Sequence, residues 1–209
     1  MKEFIKYTQE MFNELPVINE RKECPSGDYS EIKEFASECN FDDDCIFEGW
    51  CNFGQYCLFG SNCEFGSYCS FGKNCAFEKG CKFNKFTSFG ECCEFGERCD
   101  FKSYCKFGYD CYFGCLCRFG NRCSFAEWCN FTNYCICEFG EFDKIVSCGG
   151  FGRGGETIYF FHLTNGEIHV RSGSFSGSIN ELEENVKETH LENVYLALIL
   201  VVKAQFKVN

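Results

Sequence analysis

The chain has 209 residues, with 20 Lys and Arg against 31 Asp and Glu and a formal charge of −11. That balance excludes a surface built to grip nucleic-acid phosphates, which needs clustered cations. The longest apolar run, Val194 to Val202, is too short to span a bilayer, and the charge-mixed start from Met1 to Glu14 does not read as a secretory signal.

In chain order, Phe4, Ile5, Thr8, Met11, Phe12 and Leu15 share one helical face, and Pro16 ends that segment. Asp28 with Glu31 fits a capping box and predicts a second short helix. Residues 1–34 are therefore expected to form a helical cap, because an open coil end exposes both core and strand edge. From Phe35 to Phe131 a phenylalanine stands at every sixth position, seventeen in all. From Phe41 onward a cysteine lies two residues earlier, from Cys39 to Cys129, with Thr87 as the one substitute and Cys135 one step beyond. A period of six is not helical. It is even, so Cys and Phe point to the same side of a strand, one large and one small. Gly follows Phe at nine of the slots, where a corner is expected to need a positive φ.

Written from its phenylalanine, the unit Phe-Gly-x-x-Cys-x resembles the hexapeptide repeat of left-handed parallel β-helices. It differs in using Phe where that family has an aliphatic residue and Cys where it has Ser, Thr, Ala or Val. The resemblance implies a mostly β fold, a left-handed triangular solenoid with three hexads and eighteen residues per coil, so that seventeen hexads make almost six coils. Near Tyr134 to Ile136 the register slips by two, and Cys137-Glu138-Phe139-Gly140, Ile145 and Phe151 predict roughly one further coil, taking the solenoid to residue 152.

Gly149 to Gly155 is rich in glycine but lacks the Lys-Ser/Thr end of a phosphate loop, and reads as a boundary. Residues 153–209 then form a small α+β module. Thr157–Leu163 and Glu167–Arg171 flank Asn165-Gly166, a hairpin signal. Ser178 and Glu181 fit a capping box over a helix from Ile179 to His190, and a more apolar helix runs from Glu192 to Phe206. This tail and the Cys-x-Phe-Gly repeats together resemble uncharacterised proteins of bacteriophages and gut Firmicutes, a resemblance that implies no chemistry.

Enzymes of the hexapeptide-repeat family use histidines at subunit interfaces. Here His162, His169 and His190 all lie beyond the repeats. The first two are expected on one sheet face, but they lack a third ligand for a metal. No catalytic residue, cofactor or metal is assigned. An odd number of cysteines (21), most of them in one repeat slot, reads as reduced thiols rather than a disulfide framework and so as a cytoplasmic protein, and the resemblance to phage proteins implies a bacterial host cell.

An eighteen-residue coil stacks Trp50, Tyr68, Phe86, Tyr104 and Arg122 in one outward column, the candidate partner-binding surface. Glu64, Lys82, Asp100 and Arg118 form a second column of alternating sign, which reads as solvated register support. The expectation is a non-enzymatic interaction or scaffold protein, a homo-oligomer or a phage-derived binder or inhibitor of a host protein. The alternatives are an acyltransferase-like enzyme with its site between subunits and an acidic DNA mimic.

Overall fold

The computed structural model describes residues 4–126, 128–132, 135–151, 156–187 and 192–207. The chain divides into two units, residues 1–138 and 139–209.

In the first unit, each hexad contributes a two- or three-residue strand ending on its phenylalanine. Every third strand pairs in parallel with the one a coil earlier, as in Phe35 with Phe53 and Phe53 with Phe71. Three faces result. The first carries Cys39–Phe41, Leu58–Phe59, Ala76–Phe77, Glu94–Phe95, Tyr112–Phe113 and Asn130–Phe131. The second runs from Ile46–Phe47 through Lys82–Phe83 to Cys135–Cys137, and the third from Glu34–Phe35 to Ser124–Phe125. Strand pairs this short hold because the ladder continues through the corners: Asn52 N–H donates to Lys33 C=O (2.7 Å), and Trp50 N–H to Ser67 C=O (2.8 Å).

Sixteen of the seventeen repeat phenylalanines are buried, and Phe131 is half-buried at the last coil. Their rings form three parallel stacks. Along a stack, rings one coil apart lie nearly flat on each other, as for Phe89 and Phe107 at 5.0 Å and 1°. Around a coil, neighbours meet edge to face, as for Phe89 and Phe95 at 4.8 Å and 87°. Each ring thus meets a positive edge with a negative face, the arrangement its quadrupole favours, worth about 0.5–1.5 kcal/mol per pair beyond burial.

The N-terminal segment closes the first coil differently from the sequence expectation. α1 (Gln9–Glu14) forms with Thr8 as its N-cap, and its Phe12 packs edge-on against Phe35 at 5.3 Å. The helix expected from Asp28 does not form. Asp28 instead bridges Lys6 and Ile46 in parallel β pairing, and its carboxylate accepts from the Ser30 N–H at 2.8 Å. The reason is burial: Tyr29 occupies the Phe slot six residues before Phe35 and stacks on Phe47 (5.5 Å) and Tyr7 (4.6 Å). A core ring in repeat register outweighs a local capping signal.

In the second unit, Gly140–Phe151 does not continue the coils. It pairs antiparallel with Glu156–Leu163, opening a meander completed by Ile168–Ser172 and Phe175–Ser178. The expected hairpin is present, turning at Asn165-Gly166 with Gly166 at φ 88°. α2 (Ile179–Val186) begins on the Ser178–Glu181 capping box, and α3 is Glu192–Phe206. Ile158, Phe160, Ile168 and Val170 of the sheet pack with Leu182, Ile199 and Val202 of the helices. Tyr134 of the register slip, Gly152 to Gly155, and His190 lie outside the described residues.

Candidate functional site

The glycine after each phenylalanine does not take the positive φ expected of it. A β-carbon on Gly54 would come within 2.4 Å of the Ser37 backbone nitrogen, and one on Gly90 within 2.7 Å of that of Lys73. These glycines admit the backbone of the preceding coil. The left-handed residue lies two positions later, just before the cysteine, at Asp44, Trp50, Tyr56, Asn62, Tyr68 and onward, with φ 54–75° through Trp128.

Trp50, Tyr68, Phe86, Tyr104 and Arg122 are five consecutive occupants of that slot at one corner, with φ of 65°, 62°, 61°, 64° and 58°. A left-handed residue aims its side chain outward, and the coil repeat places the next directly over it. Trp50 stacks on Tyr68 at 4.3 Å, Tyr68 on Phe86 at 4.8 Å and Phe86 on Tyr104 at 4.9 Å, all within 14° of parallel. The Arg122 guanidinium lies 5.9 Å from the Tyr104 ring centre and ends the stack with a cation. The rings remain 40–70 % exposed, so the N-terminal segment does not cover them. Their faces are mostly spent on one another, and what reaches solvent is a column of ring edges plus the outer face of Trp50.

The charged column also forms. Lys82 pairs with Glu64 at 2.7 Å, and Asp100 lies between Lys82 and Arg118 in register. Both members of that ion pair are more than half exposed, so it contributes little.

The cysteine slot carries a hydrogen-bond pattern that residue size alone did not reveal. From Cys57 to Cys135, each ladder thiol reaches the carbonyl of the residue after phenylalanine one coil earlier: Cys75 to Gly54 at 3.4 Å, Cys81 to Gly60 at 3.3 Å, Cys99 to Glu78 at 3.4 Å. Among the described residues no backbone N–H is bonded to these three carbonyls. Thr87 fills the same slot and donates to Asn84 C=O at 2.8 Å. None of the 21 cysteines forms a disulfide; Cys92 is exposed and Cys115 half-buried. The ladder neighbours Cys63 and Cys99, and then burial, push the Cys81 thiol up; Cys111 and Cys75, and then burial, do the same for Cys93.

The histidines of the second unit do not converge. Strand register pairs Phe161 with His169 and His162 with Ile168, so His162 and His169 point to opposite sides of the sheet rather than one. His162 contacts Asp143 at 2.6 Å, and His169 stacks on Phe139 at 3.7 Å and bonds Ser176. No cluster of metal-ligating side chains occurs among the described residues, and none of the described helices is long and apolar enough to cross a membrane. No protein-family model, curated protein or solved structure matches the chain.

Proposed function

We propose that this protein is a non-enzymatic interaction scaffold, a rigid Cys-Phe variant of the hexapeptide-repeat β-helix that presents Trp50, Tyr68, Phe86, Tyr104 and Arg122 to a protein partner or to a second copy of itself. The observation that carries this reading is the ring column itself, exposed yet held in register by the coil spacing. Aromatic and Arg side chains are favoured at the centres of interfaces, and a column already ordered in the free chain loses little side-chain entropy on binding. Edge-outward rings favour a protein surface over a sugar, which stacks on ring faces. A phage-derived binder of a host protein, working in a reducing cytoplasm suited to so many thiols, fits this reading.

The two alternatives have less support. An interface enzyme would need His162 or His169 beside a pocket between subunits, and each is engaged within its own chain, His162 with Asp143 and His169 with Phe139 and Ser176. A DNA mimic would need continuous acid, and the second face alternates Glu64, Lys82, Asp100 and Arg118.

The test is the double variant Tyr68→Lys/Tyr104→Lys, compared with wild type by sedimentation velocity and by affinity capture. Loss of self-association, or of a partner that wild type retains, supports the proposal. Unchanged assembly together with an unchanged set of captured partners refutes it.

A further inference from the structure

The first face carries a groove of about 750 Å³ that plays no part in the aromatic column. Its shape follows from sequence. Along the outward column of this face, Leu58 and Ala76 are short, and at the adjoining corner Gly60 and Gly96 bear no side chain. Tyr112 closes one end and Asp42 to Asp44 the other. The groove crosses five strands, four gaps of about 4.8 Å or roughly 19 Å, and its volume lies in the range of a ligand site.

The lining has two characters. Leu58, Ala76 and Tyr112 make an apolar floor in which Glu94 stands between Ala76 and Tyr112, while Asp43 and Glu78 stand at the adjoining corner; among the described residues no Lys or Arg lines it. Two of these carboxylates are fixed by one buried residue. Asp43 Oδ1 accepts the Ser61 N–H at 2.6 Å, and Glu78 Oε2 accepts the Ser61 hydroxyl at 2.8 Å. Ser61 is only 6 % exposed. Both acids are exposed yet held in place at the groove edge by Ser61.

We infer that this groove binds a basic, extended peptide segment of about six residues, whose Lys or Arg side chains meet Asp43, Glu78 and Glu94 while apolar side chains between them rest on Leu58, Ala76 and Tyr112. Six extended residues span about 20 Å, the length of the groove. The charge complementarity selects a cationic occupant, and the apolar floor selects a mixed rather than a purely basic one. The segment crosses the strands, so recognition runs through side chains and not through added sheet pairing.

Fluorescence anisotropy on the full chain tests this with two labelled probes, an alternating Leu-Lys hexapeptide and hexalysine. Three proteins are compared: wild type, Glu78→Gln/Glu94→Gln, and Glu10→Gln/Glu14→Gln, which removes the same charge from α1. The amide oxygen introduced by Glu78→Gln keeps an acceptor for the Ser61 hydroxyl, and circular dichroism verifies each fold. The expected result is Leu-Lys binding weakened about tenfold by the groove variant, changed less than about twofold by the α1 variant, and several-fold tighter than hexalysine. Equal loss in both variants would reduce the effect to net charge and overturn the proposal. So would hexalysine binding as tightly as the mixed peptide, or no binding of the mixed peptide at millimolar concentration.

Discussion

Cys75 Sγ lies 3.4 Å from the carbonyl oxygen of Gly54, twenty-one residues earlier and one coil away. The same contact recurs up each ladder, which gives the cysteine slot two requirements: a small volume and a donor aimed at a half-buried carbonyl. Thr87 fits the volume and keeps a donor, turned to the Asn84 C=O of its own coil; alanine meets only the first. At Cys93, whose thiol reaches Gly72 C=O at 3.5 Å, Cys93→Thr should stay within about 1 kcal/mol of wild type. Cys93→Ala should lose about 1–3 kcal/mol for the unpaired carbonyl. Urea denaturation measures both. Equal stability of the two variants would leave size as the only requirement.

The thiols also predict an alkaline limit. Neighbouring thiols and burial raise Cys81 and Cys93 in the folded chain above the ordinary value of 9.0. The unfolded chain therefore loses those protons first. The contribution of these two thiols is complete below about pH 9 and falls above it, by up to about 1.4 kcal/mol per pH unit for each. Denaturation midpoints should fall as pH rises from about 9 to 10.5. In the same range a thiol reagent should modify exposed Cys92 without denaturant, while Cys93 and Cys117 wait for unfolding. Similar rates at Cys92 and Cys93 would contradict the register.

Phe89 touches stacked partners above and below, Phe71 at 5.1 Å and Phe107 at 5.0 Å, and edge partners Phe83 and Phe95. Removing the ring opens a cavity between coils that rigid neighbours cannot refill. Phe89→Ala should cost about 3–5 kcal/mol, and Phe89→Leu less than half of that, both read from urea midpoints. A loss under about 1 kcal/mol for the alanine would mean that the stack is not the core.

The solenoid was legible because one contact pattern repeats: Phe and Cys at an even spacing can only share a strand face. What escaped was the conformation between them. Glycine after phenylalanine suggested a left-handed corner there, whereas it is a close approach between coils. The true left-handed slot carries Asp44, Asn62, Asn74, Gly80 and Asp110, residues that tolerate such a backbone. Read as one slot of the hexad, those five signal it; Trp50, Tyr68 and Leu116 in the same slot conceal it. The helix expected at Asp28 failed because a capping box carries no information about Tyr29, whose burial in the first coil decides that segment. The outward column followed from coil length alone, but the face-to-face ring contacts required the positive φ that aims each side chain along the corner.

That same backbone separates a working surface from a structural one. Phe86 sits at φ 61°, a conformation costing an ordinary residue about 1–2 kcal/mol, and recovers energy by stacking on Tyr68 and Tyr104 at about 0.5–1.5 kcal/mol per pair. Asparagine occupies this slot at Asn62 and Asn74 with φ of 59° and 56°. Phe86→Asn therefore removes two ring contacts while relieving the backbone, and the two effects nearly cancel. The expected outcome is a stability change within about 1 kcal/mol, measured by urea unfolding, with loss of the self-association or partner binding assigned to the column. If Phe86→Asn instead destabilises by several kcal/mol and leaves binding intact, the rings serve the fold alone, and the interaction surface lies on another face.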